Sequence, residues 1–283
     1  TEQMVLKIGD KKRTVHLHVA RVTSDPGEGI DSLVVIRDIS QLVQTAAMKA
    51  EFVANASHEL RTPLATIRAA MDSLQSLDPE DRDSYEKIVG IVDRHLLRLE
   101  QMTTDLLDLH LVEQAKSRLR LEQIRLGALV KWAQSYFSNK SRDKGVRLDV
   151  ETNDADAEFS TDHTLVQLIL QNLIDNAIKY TPTGGDIAVH LLTKGDRIVL
   201  RVADTGCGIP EEVQQRVFER FFQADPARSG DTRIRGTGLG LAIVKHASDR
   251  LGAELKLDSE PGKGTTVTVI MPERPPVGQV VEE

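Results

Sequence analysis

The stretch VANASHELRTPLATIRAAMDSL, residues 53–74, decides how this chain folds. Its residues Val53, Ala56, Leu60, Pro63, Ile67, Ala70 and Leu74 step by three and four in unbroken alternation. That spacing keeps one apolar seam on one side of an α-helix. With Val53 as heptad position a, His58 falls at f, opposite the seam and toward solvent. Glu59 is its neighbour, and Thr62 stands one turn on, beside it at i+4. Pro63 has no N–H for the Glu59 carbonyl, so the helix is expected to bend or weaken there.

Outward from this seam lies a second one, Tyr85, Ile88, Val92, His95, Leu99, Met102, Leu106 and Leu109, again alternating three and four. Between the two, Asp78-Pro79 offers an N-cap followed by a first-turn proline. Two long amphipathic helices joined by a short loop make an αα-hairpin. Alone it cannot bury both seams, and pairing with a second copy into a four-helix bundle solves that.

On the N-terminal side, Thr14–Arg21 and Leu33–Ile39 read as strands around a turn at Asp25-Pro26-Gly27. They are too little to close a core, and residues 1–40 are read as the tail of a β-rich domain. On the C-terminal side the pattern becomes mixed. Strands are expected at 119–124, 146–150, 157–161, 186–193, 197–203, 253–258 and 265–271, with helices at 127–143, 162–180 and 237–251. The alternation Ile187-Val189-Leu191 and Ile198-Leu200-Val202 indicates a sheet with one buried face. Residues 273–283, acidic at the end and without periodicity, are expected to be a disordered tail.

Composition narrows the function. The 283 residues suit roughly two domains. With 36 basic against 43 acidic residues the net charge is −7, which disfavours sequence-independent binding to nucleic acid. No apolar run reaches the length of a membrane span, and the start lacks a signal-peptide core. The single cysteine excludes an intrachain disulfide and fits a reducing compartment, so a cytoplasmic location is expected. The absent initiator Met suggests the soluble part of something longer, with the membrane reached only through an upstream region.

Chemistry-bearing residues cluster in four places. An exposed histidine beside a kink is ordinarily only that, although imidazole is a competent nucleophile when a carboxylate holds its other nitrogen. A zinc motif is excluded at His58-Glu59, because Thr62 stands where the second histidine belongs. Asn172, Asn176 and Lys179 form a polar stripe at i, i+4, i+7 on an otherwise apolar helix. The stripe is equally the wet side of that helix or a pair of amide oxygens for Mg²⁺ with a cation for phosphate. Tyr180 could stack on a base or sit in the core. Asp204-Thr205-Gly206-Cys207-Gly208 follows a strand end, as a plain turn or a close backbone approach to a ligand. Gly236-Thr237-Gly238-Leu239-Gly240 precedes a helix, an arrangement that aims backbone N–H groups at phosphate, though such a run is weak by itself. It is neither a Rossmann fingerprint nor a Walker loop.

Taken together with Phe218–Phe222, these four resemble the boxes of bacterial sensor histidine kinases. Residues 52–64 look like the phosphoacceptor box, 171–182 the asparagine box, 204–210 the first glycine box, Phe218–Phe222 the phenylalanine box and 236–241 the second glycine box. Order and spacing match over residues 41–271, and five boxes in order are far more specific than any one. Residues 34–40 are similar to the end of a PAS sensor domain.

The resemblance implies a division into a PAS end over 1–40, a dimerisation and phosphotransfer hairpin over 41–117 and an ATP-binding domain over 118–272. The fold class is then multidomain α and α+β: a long αα-hairpin forming a dimeric four-helix bundle, followed by a Bergerat-type α/β sandwich. It further implies that Asp204, with Gly206 and Gly208, reads adenine, that Asn172 and Asn176 hold Mg²⁺, and that Lys179 and the Gly236–Gly240 turn (Gly236, Thr237, Gly238, Leu239, Gly240) meet the phosphates. Tyr180 is counted with the nucleotide site, as is Arg235, which with Arg228 and Arg233 belongs to the lid over ATP. Related ATPases such as gyrase and the heat-shock chaperones carry Glu where Asn172 stands; an amide can bind metal or orient but cannot activate water, which favours phosphoryl transfer to a side chain.

The expected activity is autophosphorylation of His58 from ATP, with Glu59 orienting or deprotonating the imidazole, and transfer to an aspartate on a response-regulator receiver domain. Thr62 is either a water-positioning residue for dephosphorylating that regulator or a plain helical threonine. A protein acting mainly as regulator phosphatase and a non-catalytic dimeric scaffold are the rival readings.

Overall fold

A computed structural model describes residues 2–8, 11–21, 32–78, 81–113, 119–223, 236–272 and 280–281. The expected turn at 25–27, Pro79, Arg228, Arg233 and Arg235 lie outside the described residues. The fold divides into two compact units, Thr1–Thr62 and Pro63–Glu283.

The first unit holds an antiparallel sheet of β1 (Glu2–Ile8), β2 (Lys11–Arg21) and β3 (Ser32–Asp38) in that order. β1 was not expected. It pairs with β2 from Glu2↔Leu17 to Ile8↔Lys11, and EQMVLKI lacks the strict alternation that marks a strand in sequence. Val15 is buried, whereas Val19, Leu33, Val34, Val35 and Ile36 are exposed. At the exit of β3, the Asp38 carboxylate accepts from the Ser40 N–H at 2.9 Å and pairs with Arg13 at 2.9 Å. Ser40 opens α1 (Ser40–Gln75) and its hydroxyl oxygen accepts from the Thr14 N–H at 2.8 Å, tying helix start to sheet.

α1 runs through Pro63 without interruption, so the proline removes a hydrogen bond but does not end the helix. Pro63 and Ala70, both on the predicted seam, are its buried residues. In the second unit, α2 (Arg82–Glu113) carries the second seam, with Met102 and Leu109 fully buried.

After α2 come β4 (Leu119–Arg125), α3 (Leu126–Lys144), β5 (Arg147–Thr152), β6 (Glu158–Asp162) and α4 (His163–Tyr180). β7 (Asp186–Lys194), β8 (Arg197–Asp204), the short α5 (Glu211–Gln214), α6 (Gly240–Arg250), β9 (Glu254–Glu260) and β10 (Gly264–Pro272) follow. A five-stranded sheet has the order β5-β7-β8-β10-β9, parallel only at β5–β7. Its buried side chains sit in cross-strand layers: Val189 opposite Val202 opposite Val267, and Leu191 opposite Leu200 opposite Val269. Alternation therefore puts one face of the sheet into a core shared with α3, α4 and α6. This two-layer α/β sandwich, preceded by two long helices, is the expected fold class.

Two expectations need correction. α6 starts at Gly240, not at 237, because Gly238 has φ +74°, a left-handed conformation that no helix continues. Within the expected disordered tail, β11 (Val280–Val281) pairs in parallel with β4 at Val280↔Leu119 and Val281↔Arg120, occupying an edge whose backbone groups seek partners.

Candidate functional site

α4 starts where its N-cap dictates: an Asp162 carboxylate oxygen accepts from the Leu165 N–H at 3.2 Å. From there Leu165, Ile169, Leu173, Ile174 and Ala177 bury one face. Asn172, Asn176 and Lys179 stay on the other, which the turn leading into α6 approaches.

The approach is close. A Cβ on Gly240 would lie 2.8 Å from the Asn172 Oδ1 and 3.6 Å from the Asn176 Nδ2, and one on Gly236 would fall on the Lys179 ammonium. The Asn172 amide N–H donates to the Leu168 carbonyl at 2.9 Å, which fixes the flip of the amide and turns Oδ1 toward the glycine turn. The structure thus brings together Asn172, Asn176, Lys179, Gly236 and Gly240, five of the residues named from the sequence. The N-terminus of α6, whose first N–H groups lack a partner within the helix, thus lies beside a cation and two amides. Among the described residues no group of three or more His, Cys, Asp or Glu could hold a metal. Mg²⁺ fits here only through amide oxygens shared with a phosphate ligand, the low-protein-ligand pattern this ion accepts.

At the other end, Asp204 closes β8. Its Oδ1 accepts from the Gly206 N–H at 2.8 Å and the Thr265 N–H at 3.2 Å, which leaves Oδ2 for a donor outside the strand. Burial pushes this carboxyl up, against those two bonds that pull it down. The loop after it reaches α4: the Cys207 N–H donates to the Tyr180 carbonyl at 3.4 Å, and a Cβ on Gly206 would lie 2.7 Å from that same oxygen. Gly208, with φ +66°, lies against the Glu260 carbonyl. The Tyr180 ring is exposed and carries the Lys179 ammonium 4.9 Å from its centroid, so it is not core.

Thr237 is buried, and its hydroxyl oxygen accepts from the Leu239 N–H at 3.3 Å. Its proton goes to Asp105 of α2, a residue the sequence reading did not single out. Asp105 lies beside the seam, one residue before Leu106, where an acid ordinarily marks a solvated flank. Its signal is helical spacing: it stands three residues from Met102 and four from Leu109, in a stripe with Val112 that is buried with it. A second missed group is Glu113, 2.8 Å from Arg220 and 3.8 Å from His246.

In the first unit, His58 is exposed on α1, as its heptad position requires, with Glu59 next to it. The Thr62 hydroxyl donates to the His58 carbonyl at 3.3 Å, the back-bond of a helical threonine.

Burial, together with the Arg98 charge, lowers the Lys179 ammonium to about 8, with Asp105 pulling the other way. The cation that would bind an anion is therefore present below about pH 8 and is lost above it. Affinity for a non-hydrolysable ATP analogue should therefore fall as pH rises from 7 to 9, by at most about tenfold per unit beyond the midpoint. A Lys179→Arg variant, charged throughout, should show a flat profile. Calorimetric titration at both pH values is the check, and a parent with a flat profile would refute the assignment of Lys179 to phosphate.

Residues 48–115 match the His Kinase A (phospho-acceptor) domain, and residues 161–275 match the histidine kinase-, DNA gyrase B- and HSP90-like ATPase family. The chain is 34% identical over 246 residues to the sensor-like histidine kinase SenX3 of Mycolicibacterium smegmatis, covering 86% of this chain and 62% of that protein. It therefore spans about three fifths of that relative's length. Among solved structures, histidine kinase ThkA in complex with response regulator protein TrrA superposes with a TM-score of 0.66 at 21% identity, covering 96% of this chain and 78% of the other, a likeness of fold. Full-length ShkA in complex with AMPPNP gives a TM-score of 0.57 at 25% identity, covering 81% of this chain and 47% of that one.

Proposed function

The chain belongs to the two-component sensor histidine kinases, and from that membership we propose that it is a homodimeric, ATP-dependent kinase that phosphorylates its own His58 and passes the phosphoryl group to an aspartate of a receiver domain. The observation that carries the proposal is the convergence of Asn172, Asn176 and Lys179 on the Gly236–Gly240 turn. It supplies a cation, backbone donors and amide oxygens where a triphosphate would lie. The ShkA structure, which holds AMPPNP on a related fold, supports nucleotide as the ligand.

In this mechanism an imidazole nitrogen of His58 bonds to the γ-phosphorus while the bond to the β–γ bridging oxygen breaks, and ADP leaves. Glu59 orients or deprotonates the imidazole, and Lys179 meets the charge that develops on the phosphoryl oxygens. Asn172 and Asn176 would hold Mg²⁺, which when bound offsets triphosphate charge. Asp204 Oδ2 accepts from the adenine amine. A water-positioning role for Thr62 requires its hydroxyl to leave the His58 carbonyl. The apolar residues Leu64, Met71, Tyr85, Val89, Leu96 and Leu97, all exposed in a single chain, support pairing with a second copy. No helix among the described residues is long and apolar enough to cross a membrane.

Incubation with γ-labelled ATP and Mg²⁺ tests the proposal. Label on the protein that is stable to base and lost in acid is expected, as phosphohistidine requires; no label, with nucleotide bound, would favour the scaffold reading. For the adenine assignment, Asp204→Asn should weaken discrimination between ATP and GTP by about tenfold or more, because the amide can donate as well as accept. Selectivity equal to the parent's would remove Asp204 from that role.

A further inference from the structure

The C-terminal third of α2 is spent on the ATP-binding sandwich. Met102 and Leu109 are fully buried and Val112 nearly so, α2 packs on α6, and the Arg250 guanidinium donates to the Leu111 carbonyl at 3.0 Å. In the middle of this dry contact stands one carboxylate. Asp105 is 7% exposed, and each of its oxygens is taken: Oδ1 accepts from the Gln101 amide at 2.7 Å and Oδ2 from the Thr237 hydroxyl. Thr237 is the second residue of the glycine turn, and Lys179, which the same turn abuts, is close enough to interact with the Asp105 charge. A buried carboxylate is retained at a cost unless it has partners, and one of the partners here, the Thr237 hydroxyl, belongs to the turn that the proposed function assigns to phosphate.

We propose that Asp105 is an internal anionic ligand of the phosphate-binding turn, which lowers nucleotide affinity while α2 is docked. The proposal rests on the reading of the Gly236–Gly240 turn as a nucleotide site. Triphosphate and carboxylate are both anions, and both draw on Lys179 and on the turn carrying Thr237; placing one raises the free energy of the other. The coupling is reciprocal, so nucleotide must loosen the α2 contact by the same factor by which that contact weakens nucleotide. The other charges near the carboxylate do not relieve the conflict: Asp175 and Asp108 add negative charge, and Arg98 acts on the Lys179 side.

The test titrates the whole chain with Mg-AMPPNP and, separately, with adenosine, for the parent and for Asp105→Asn. The neutral isostere keeps shape and hydrogen-bonding capacity, and AMPPNP should bind about tenfold to a hundredfold more tightly, while adenosine, without phosphates, should bind equally to both. Equal AMPPNP affinity would overturn the proposal, as would an equal gain for adenosine, which would indicate a general loosening. Failure of either protein to bind AMPPNP or adenosine at all would instead overturn the nucleotide reading, and the proposal with it. Hydrogen exchange on the parent needs no variant: saturating Mg-AMPPNP should speed exchange of the α2 amides from Leu99 to Val112 several-fold, and unchanged or slower exchange there would refute the antagonism.

Discussion

Phosphoryl incorporation should vanish in His58→Gln, by at least about a thousandfold, while AMPPNP affinity changes less than about twofold. Glutamine has no nitrogen lone pair of comparable nucleophilicity, so no acceptor remains at position 58. The position is exposed on α1, and glutamine is a good helix former, so stability should stay within about 0.5 kcal/mol of the parent. The substitution also leaves unchanged every residue assigned to nucleotide: Asn172, Asn176, Lys179, Asp204 and the Gly236–Gly240 turn. Melting temperature and analogue titration accompany the labelling assay. Acid-labile label surviving in a variant with parental stability would place the acceptor elsewhere.

An effect of comparable size, on stability, is expected for Gly264→Ala. Gly264 opens β10 with φ +115°, and a Cβ there would fall on the Asp204 carbonyl. Neither partner can yield: Asp204 is paired in register with Thr265 across the β8–β10 ladder. Strain at a glycine-only conformation costs about 1–3 kcal/mol, and displacing a ladder carbonyl adds to it. A total near 3 kcal/mol, a drop of about 6–12 °C in melting temperature, is expected, with loss of nucleotide binding because Asp204 moves with its carbonyl. Gly195→Ala is the control. It too has positive φ, +62°, but nothing lies within 4 Å of the added methyl, so only the left-handed cost of about 1–2 kcal/mol applies. Equal losses in the two variants would show that backbone strain, and not the collision with Asp204, governs.

Much of this was legible in the sequence because it depends on local spacing. The seams of α1 and α2 are heptads; the Asn172–Asn176–Lys179 stripe is a helical period on an apolar background; the sandwich strands alternate. What escaped depends on partners far along the chain. Asp105 and Thr237 are 132 residues apart and meet only because α2 docks on α6. β11 is a strand only because β4 offers an edge. β1 is fixed by its ladder with β2 and not by its own pattern. The start of α6 was misread because helix periodicity cannot report the left-handed residue at Gly238.

That same residue belongs to a clasp. The Phe221 N–H donates to the Gly238 carbonyl at 2.8 Å, and the Gln223 amide donates to the Gly236 carbonyl at 2.8 Å, so the chain is pinched shut on either side of residues 224–235. Phe221 itself adopts φ +61° to make the turn, an uncommon conformation for a side chain of that size. Once the ends of a loop are held, the entropy of closing it grows only with the logarithm of its length, about 0.6 kcal/mol for each doubling. The closure at this point therefore resides in the two hydrogen bonds at Phe221 and Gln223, whatever length of chain joins them to the turn.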